Sequence, residues 1–203
     1  AVLLIPVAAL MTAAFVKNLI NWNFGGAFEL AFALGCASYV IVHLFLFKPF
    51  FIHVMGHEFT HAIFALLFGN KVKSINVTSK SGAVTTDKTN FIISLAPYFF
   101  PLYAIVFLFL FYIIKPQFAV YAAFLTGFSL VFHVISTVYS LKTSQTDFQI
   151  TGVFFSYVFV YTMNIVIIMC VLSAVSPDIS VLAFLRQTGG DVWALLRKIL
   201  HSV

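Results

Sequence analysis

Long apolar runs broken by short polar punctuation occupy almost the whole chain, and the spacing of the breaks predicts six membrane spans. They cover about residues 1–21, 27–49, 50–69, 91–114, 118–141 and 150–175, each near the ~20 residues needed to cross a hydrocarbon core. Pro6, Gly25-Gly26, Lys48-Pro49, Lys115-Pro116 and Pro177 punctuate the runs, as helix breakers do. Pro97 and Pro101 fall inside the fourth run, so that span is expected to kink or break. Only Lys48-Pro49 separates spans two and three, which requires a tight turn. Asn70 to Asn90 is the longest polar stretch. Its segment Lys71–Thr78 alternates and is β-branched, Ser81-Gly82 marks a turn, and Ala83–Thr86 follows, which predicts a short hairpin. In the tail, Leu182, Leu185, Val192, Leu195, Leu196 and Ile199 interleave with Arg186, Arg197 and Lys198. That pattern predicts an amphipathic interfacial helix after a break at Gly189-Gly190. The fold class is therefore an all-α polytopic membrane protein of about six helices with one short membrane-associated β-hairpin. Residues 1–49 supply two leading helices, 50–175 a membrane core and 176–203 the tail.

Composition agrees. Of 203 residues, 62% are hydrophobic and 8% charged, with mean hydropathy +1.07; a soluble domain would carry roughly 25% charged residues. The first run is long and evenly apolar, so it reads as a span, with a signal peptide as the alternative. The net charge of +5 comes from dispersed basic residues without a nucleic-acid motif, so the expected partner of that charge is the lipid bilayer and not nucleic acid. Cys36 and Cys170 both lie in apolar runs and are expected to be buried free thiols. With the 70–90 loop on one side, Lys17, Lys71, Lys73, Lys80, Lys88 and Lys142 share that side, which favours it as cytoplasmic.

Against this background a few ionisable residues stand out, because charge at membrane depth costs several kcal/mol unless it is paired or metal-bound. Met55-Gly56-His57-Glu58-Phe59-Thr60-His61-Ala62 places an H-E-x-x-H motif inside the third run. On a helix His57 and His61 share one face, where two imidazoles can hold Zn²⁺, and Glu58 beside them suits a general base. Catalytic zinc takes a third protein ligand. Asp147, near the start of the last span, is the best candidate, and Gly152 would allow a close helix approach there. The competing readings are an N-capping role for Asp147 and His133 as the third ligand. Otherwise His133 faces substrate or orients a ligand, as do His53, one turn before His57, and Gln145; His43 is expected to hydrogen-bond between helices.

These residues resemble the site-2 protease family of intramembrane zinc metalloproteases. Gly56–Ala62 followed by Leu67-Phe68-Gly69-Asn70-Lys71-Val72 is similar to the family's zinc helix and its exit into a β-segment. Leu95-Ala96-Pro97 resembles the start of the next helix, and Asp147 with Gly152 resembles the third-ligand helix. The resemblance covers about 50–155. It departs at Thr60, where many members carry Gly, and around Asp147, where Asn-x-x-Pro…Leu-Asp-Gly is replaced by Thr-Asp-Phe-Gln; His133, Ser144 or Gln145 would have to stand in for the Asn. It implies Zn²⁺ as cofactor, a transmembrane protein as substrate, Glu58 as catalytic base and peptide-bond hydrolysis. Val72, Ile75 and Val77 would take an unwound substrate as an added strand. Two other functions share these residues: an inactive zinc-binding homologue that binds membrane proteins, and a metal-ion transporter whose path uses the six groups His43, His53, His57, His61, His133 and Asp147.

Overall fold

The computed structural model describes residues 4–78, 81–143 and 145–201; Lys80 and Ser144, invoked above, lie outside the described residues. The element order is α1 (Leu4–Ile20), α2 (Ala27–Phe45), α3 (Phe50–Leu67), β1 (Val72–Val77), β2 (Gly82–Thr86), α4 (Phe91–Phe99), α5 (Leu102–Ile113), α6 (Pro116–Leu141), α7 (Thr146–Thr151), α8 (Val153–Val175) and α9 (Val181–His201).

Four of the described helices, α2, α3, α6 and α8, are long and apolar enough to cross a membrane, and α4 with α5, bent by 68° at the break between them, counts as a fifth if the pair is one span. The bend falls where Pro97 and Pro101 predict it. Pro101 has no N–H to continue the ladder, and it is wholly buried at the elbow. α1, drawn from the sequence as a full span, has 17 residues in its described helix, about 25 Å at 1.5 Å per residue. It is held to the bundle through Thr12, whose hydroxyl pairs with Tyr161 of α8 at 2.7 Å.

α2 packs on α6 through two reciprocal glycines. A Cβ on Gly35 would lie 2.0 Å from the Phe124 carbonyl oxygen, and one on Gly127 would lie 2.1 Å from that of Phe32. Only backbone against backbone fits there, which is how helices approach closely where lipid supplies no hydrophobic drive.

The polar stretch forms the expected hairpin. Val77 pairs with Gly82, Ile75 with Val84 and Val72 with Thr86, and a bulge between Val72 and Ser74 absorbs the extra residue. Its open end is closed by Asp87, whose carboxylate accepts the Lys71 N–H at 2.8 Å. The hairpin does not project away from the helices. It packs along α3, with its tip against Glu58.

Three expectations need correction. The tail helix does not begin after Gly189-Gly190 but runs through them from Val181. Each glycine costs about 1 kcal/mol relative to Ala, which the packing of α9 on α1 and α8 offsets, with Phe184 and Thr188 buried. Cys170 is exposed on α8, not buried. Gly152 allows no close approach, since a Cβ there would meet nothing within 4 Å. Its φ of 89° instead turns the chain from α7 into α8, a conformation that favours glycine.

Candidate metal centre

α3 stacks His57 over His61, and α7 brings Asp147 to them from the far end of the sequence. The two histidine Nε2 atoms are 3.2 Å apart. Asp147 Oδ2 lies 3.7 Å from the first and 3.6 Å from the second. Zinc bonded at about 2.0–2.2 Å in a tetrahedron needs ligand atoms about 3.3–3.6 Å apart, so the donor set and its spacing both fit that ion. Among the described residues, this is the one group of three metal-ligating side chains that could share an ion.

The backbone of α4 sets the orientation of His61. Pro97 has no N–H, which leaves the carbonyl four residues earlier, that of Ile93, without its helical donor. His61 Nδ1 donates to that oxygen at 2.9 Å. α4 is itself started by Asn90, whose side chain accepts the Ile93 N–H at 2.9 Å. Asp147 does not cap its helix. Its Oδ2 accepts the Tyr98 hydroxyl proton at 2.8 Å.

Glu58 is buried and sits under the hairpin tip, where a Cβ on Gly82 would come within 2.6 Å of its Oε1. On one side of it opens a cavity of about 470 Å³, whose walls include His57, His61, Asp147 and all of Gly82–Thr86. On the other side a second cavity of about 240 Å³ reaches His53, Ser140 and Gln145. β2 forms a wall of the first cavity, and its edge away from β1 is paired with no described strand. Val72, Ile75 and Val77, expected to dock substrate, lie on β1 and line neither cavity. The hairpin folds back along α3 so that β2, not β1, borders the metal-ligating groups.

Gln145 borders both cavities, and its amide donates to the Thr143 hydroxyl at 2.6 Å. His53 lies with Nε2 3.4 Å from Ser140 Oγ. His133 is outside the ligand group; its buried Nε2 has no hydrogen-bond partner and it borders a gap of about 30 Å³, room enough for water. His43 does not bridge helices through Nδ1, which is buried without a partner; its ring packs near Tyr39. Thr60 is tolerated on the inner side of α3 because its buried hydroxyl donates to the Gly56 carbonyl at 2.7 Å. The sequence did not single out Tyr98 or the Ile93 carbonyl, and it marked Gly82 only as part of a turn. The nearest signal was Pro97, which frees one of those groups.

No curated protein and no solved structure matches the chain significantly. Residues 30–196 match the family described as peptidase M50B-like. The match begins in α2 and ends in α9, so it takes in the second predicted span and most of the tail, both beyond the 50–155 segment that carried the resemblance. With its apolar crossings and this match over most of its length, the chain is an integral membrane protein belonging to the site-2 protease family, peptidase M50B-like.

Proposed function

We propose that the protein is an intramembrane zinc metalloprotease that hydrolyses peptide bonds of transmembrane substrates. The observation that carries this reading is the convergence of His57 Nε2, His61 Nε2 and Asp147 Oδ2 beside the buried Glu58, in a cavity walled by a strand edge.

His57, His61 and Asp147 would hold Zn²⁺. When bound, zinc polarises the scissile carbonyl and lowers the pKa of a water toward ~7. Glu58 accepts the proton of the attacking water and returns it to the leaving amine. The free edge of β2, Gly82–Thr86, offers backbone donors and acceptors to a substrate segment unwound from its helix. Such a segment needs those partners, because in hydrocarbon an unpaired backbone group costs several kcal/mol. Lys71 and Lys88 flank the hairpin and Lys73 lies on β1, which favours this side as cytoplasmic. A transporter would string its ligand groups across the membrane. Here three converge at one point.

The test uses purified protein, metal analysis and a generic transmembrane substrate. Wild type is expected to carry zinc and cleave. Glu58→Gln should keep the zinc and lose about 10²–10⁴ in rate, and Asp147→Ala should lose both. Wild type that carries zinc, binds substrate and never cleaves it would instead establish the inactive homologue. Full zinc retention by Asp147→Ala removes that residue from the ligand set.

A further inference from the structure

We infer that Tyr98 is a positioning residue of this centre: its hydroxyl holds the Asp147 carboxylate toward His57 and His61, and Asn164 of α8 holds Tyr98. The inference rests on the reading of those three side chains as a zinc site.

Tyr98 is 1% exposed. Its ring stands edge-on to His57, centroids 5.0 Å apart, and packs on Phe148, the neighbour of Asp147, at 4.4 Å. The hydroxyl donates to the same carboxylate oxygen that faces both histidines. That oxygen has two lone pairs. One takes the phenol proton, which leaves the other directed at the imidazoles. α7 is only six residues long, with no side-chain cap at its start and Gly152 at its end. Nothing in that helix fixes the carboxylate, whereas the phenol does. In a chain with 26 Phe, a phenylalanine would pack here as well; the hydroxyl is the part that needs explaining.

Tyr98 is in turn fixed from behind. The regular donor to its carbonyl would be the N–H of Leu102, but at the Pro101 elbow that N–H goes to Phe100 O at 2.9 Å. The freed carbonyl accepts Asn164 Nδ2 at 2.8 Å and Thr137 Oγ1 at 3.1 Å. Tyr98 therefore joins α4, α6 and α8 at its carbonyl and α7 at its hydroxyl. Partners of metal ligands set ligand orientation, and their loss costs about 10–100-fold in affinity.

Zinc titration and the visible spectrum of Co²⁺-loaded protein test this on full-length wild type, Tyr98→Phe, Thr137→Val, Asn164→Leu and Tyr98→Phe/Asn164→Leu. Tyr98→Phe removes one oxygen and keeps the ring, so its melting midpoint should stay near wild type. Its zinc affinity should fall about tenfold or more, and its Co²⁺ bands should shift as the carboxylate turns. Thr137→Val and Asn164→Leu should each lower affinity by less. The double variant should bind no worse than Tyr98→Phe, because Asn164 acts through the tyrosine. Wild-type affinity and an unchanged Co²⁺ spectrum in Tyr98→Phe overturn the positioning role while leaving the zinc site standing. A wild type that binds neither ion overturns the zinc site, and this inference with it.

Discussion

His61 gives its Nδ1 proton to the Ile93 carbonyl across 2.9 Å. A carbonyl can only accept, so this bond puts a proton on Nδ1 and leaves Nε2 as the nitrogen that faces His57 and Asp147. The acceptor exists because Pro97 occupies the position that would otherwise supply a helical donor.

Replacing that proline should therefore move stability and metal affinity in opposite directions. Pro97→Ala restores a helical N–H and removes a proline that costs up to ~3 kcal/mol in a helix interior, so the melting midpoint should rise. The new N–H competes with His61 for the Ile93 carbonyl, and zinc affinity should fall about tenfold. Thermal unfolding and zinc titration on the same preparations check both. A variant that melts higher and binds zinc as tightly as wild type would show that the Ile93 bond does not orient His61.

Gly82 separates metal binding from proton transfer. A methyl group there would meet Glu58 Cγ at 2.3 Å and Oε1 at 2.6 Å, so Glu58 must move, whereas none of the three contacts nearest that methyl belongs to a metal-ligating residue. Gly82→Ala is expected to keep its zinc and to lose most of its cleavage rate, at least tenfold. Metal content and initial rates measure this. Loss of zinc in parallel with rate would mean that the hairpin tip supports the whole centre.

The α2–α6 contact is expected to be the least tolerant site outside the centre. Gly35→Ala or Gly127→Ala drives a methyl into a carbonyl of the facing helix, at 2.0 and 2.1 Å respectively. Forced separation of packed elements costs typically 1–3 kcal/mol or more. Gly189→Ala, in open space on α9, should instead stabilise by up to about 1 kcal/mol. Chemical or thermal unfolding of the three variants side by side gives the order.

The hairpin should loosen in acid. The Lys71 N–H holds the Asp87 carboxylate below its ordinary range. A carboxyl whose pKa is lower in the folded state stabilises fully above its unfolded value, about 3.9. That contribution disappears as pH falls through the folded value. Exchange protection of the Lys71 amide should exceed that in Asp87→Asn at neutral pH, with the gap closing below about pH 4. A gap that persists in acid would mean that the carboxylate charge does not hold the strand ends.

Much of this was readable from residue types alone, for physical reasons. A His-Glu-x-x-His run among phenylalanines has no packing role, and Asp147 was one of few acids near membrane depth. Alternation gave the hairpin, and two prolines gave the bend. What escaped was what depends on backbone atoms or on distant partners. Tyr98 looks like any other aromatic in an aromatic-rich chain until Asp147 is seen above its hydroxyl. The Ile93 carbonyl leaves no trace in residue identity. Strand pattern marks β1 and β2 equally, so only the return of the hairpin along α3 shows which one borders the cavity. A Gly-Gly pair reads as a break, and α9 runs through it.

The bend at Pro101 also bears on when the protein becomes competent. A straight helix would satisfy its interior carbonyls by itself as soon as it entered the lipid. Here one carbonyl waits for Thr137 and then for Asn164, both of which emerge from the ribosome dozens of residues after the histidines. A nascent chain thus carries its metal-binding helix in the bilayer well before α7 and α8 arrive to supply Asp147 and lock the tyrosine, and newly made molecules stay without a finished centre until α8 has been made.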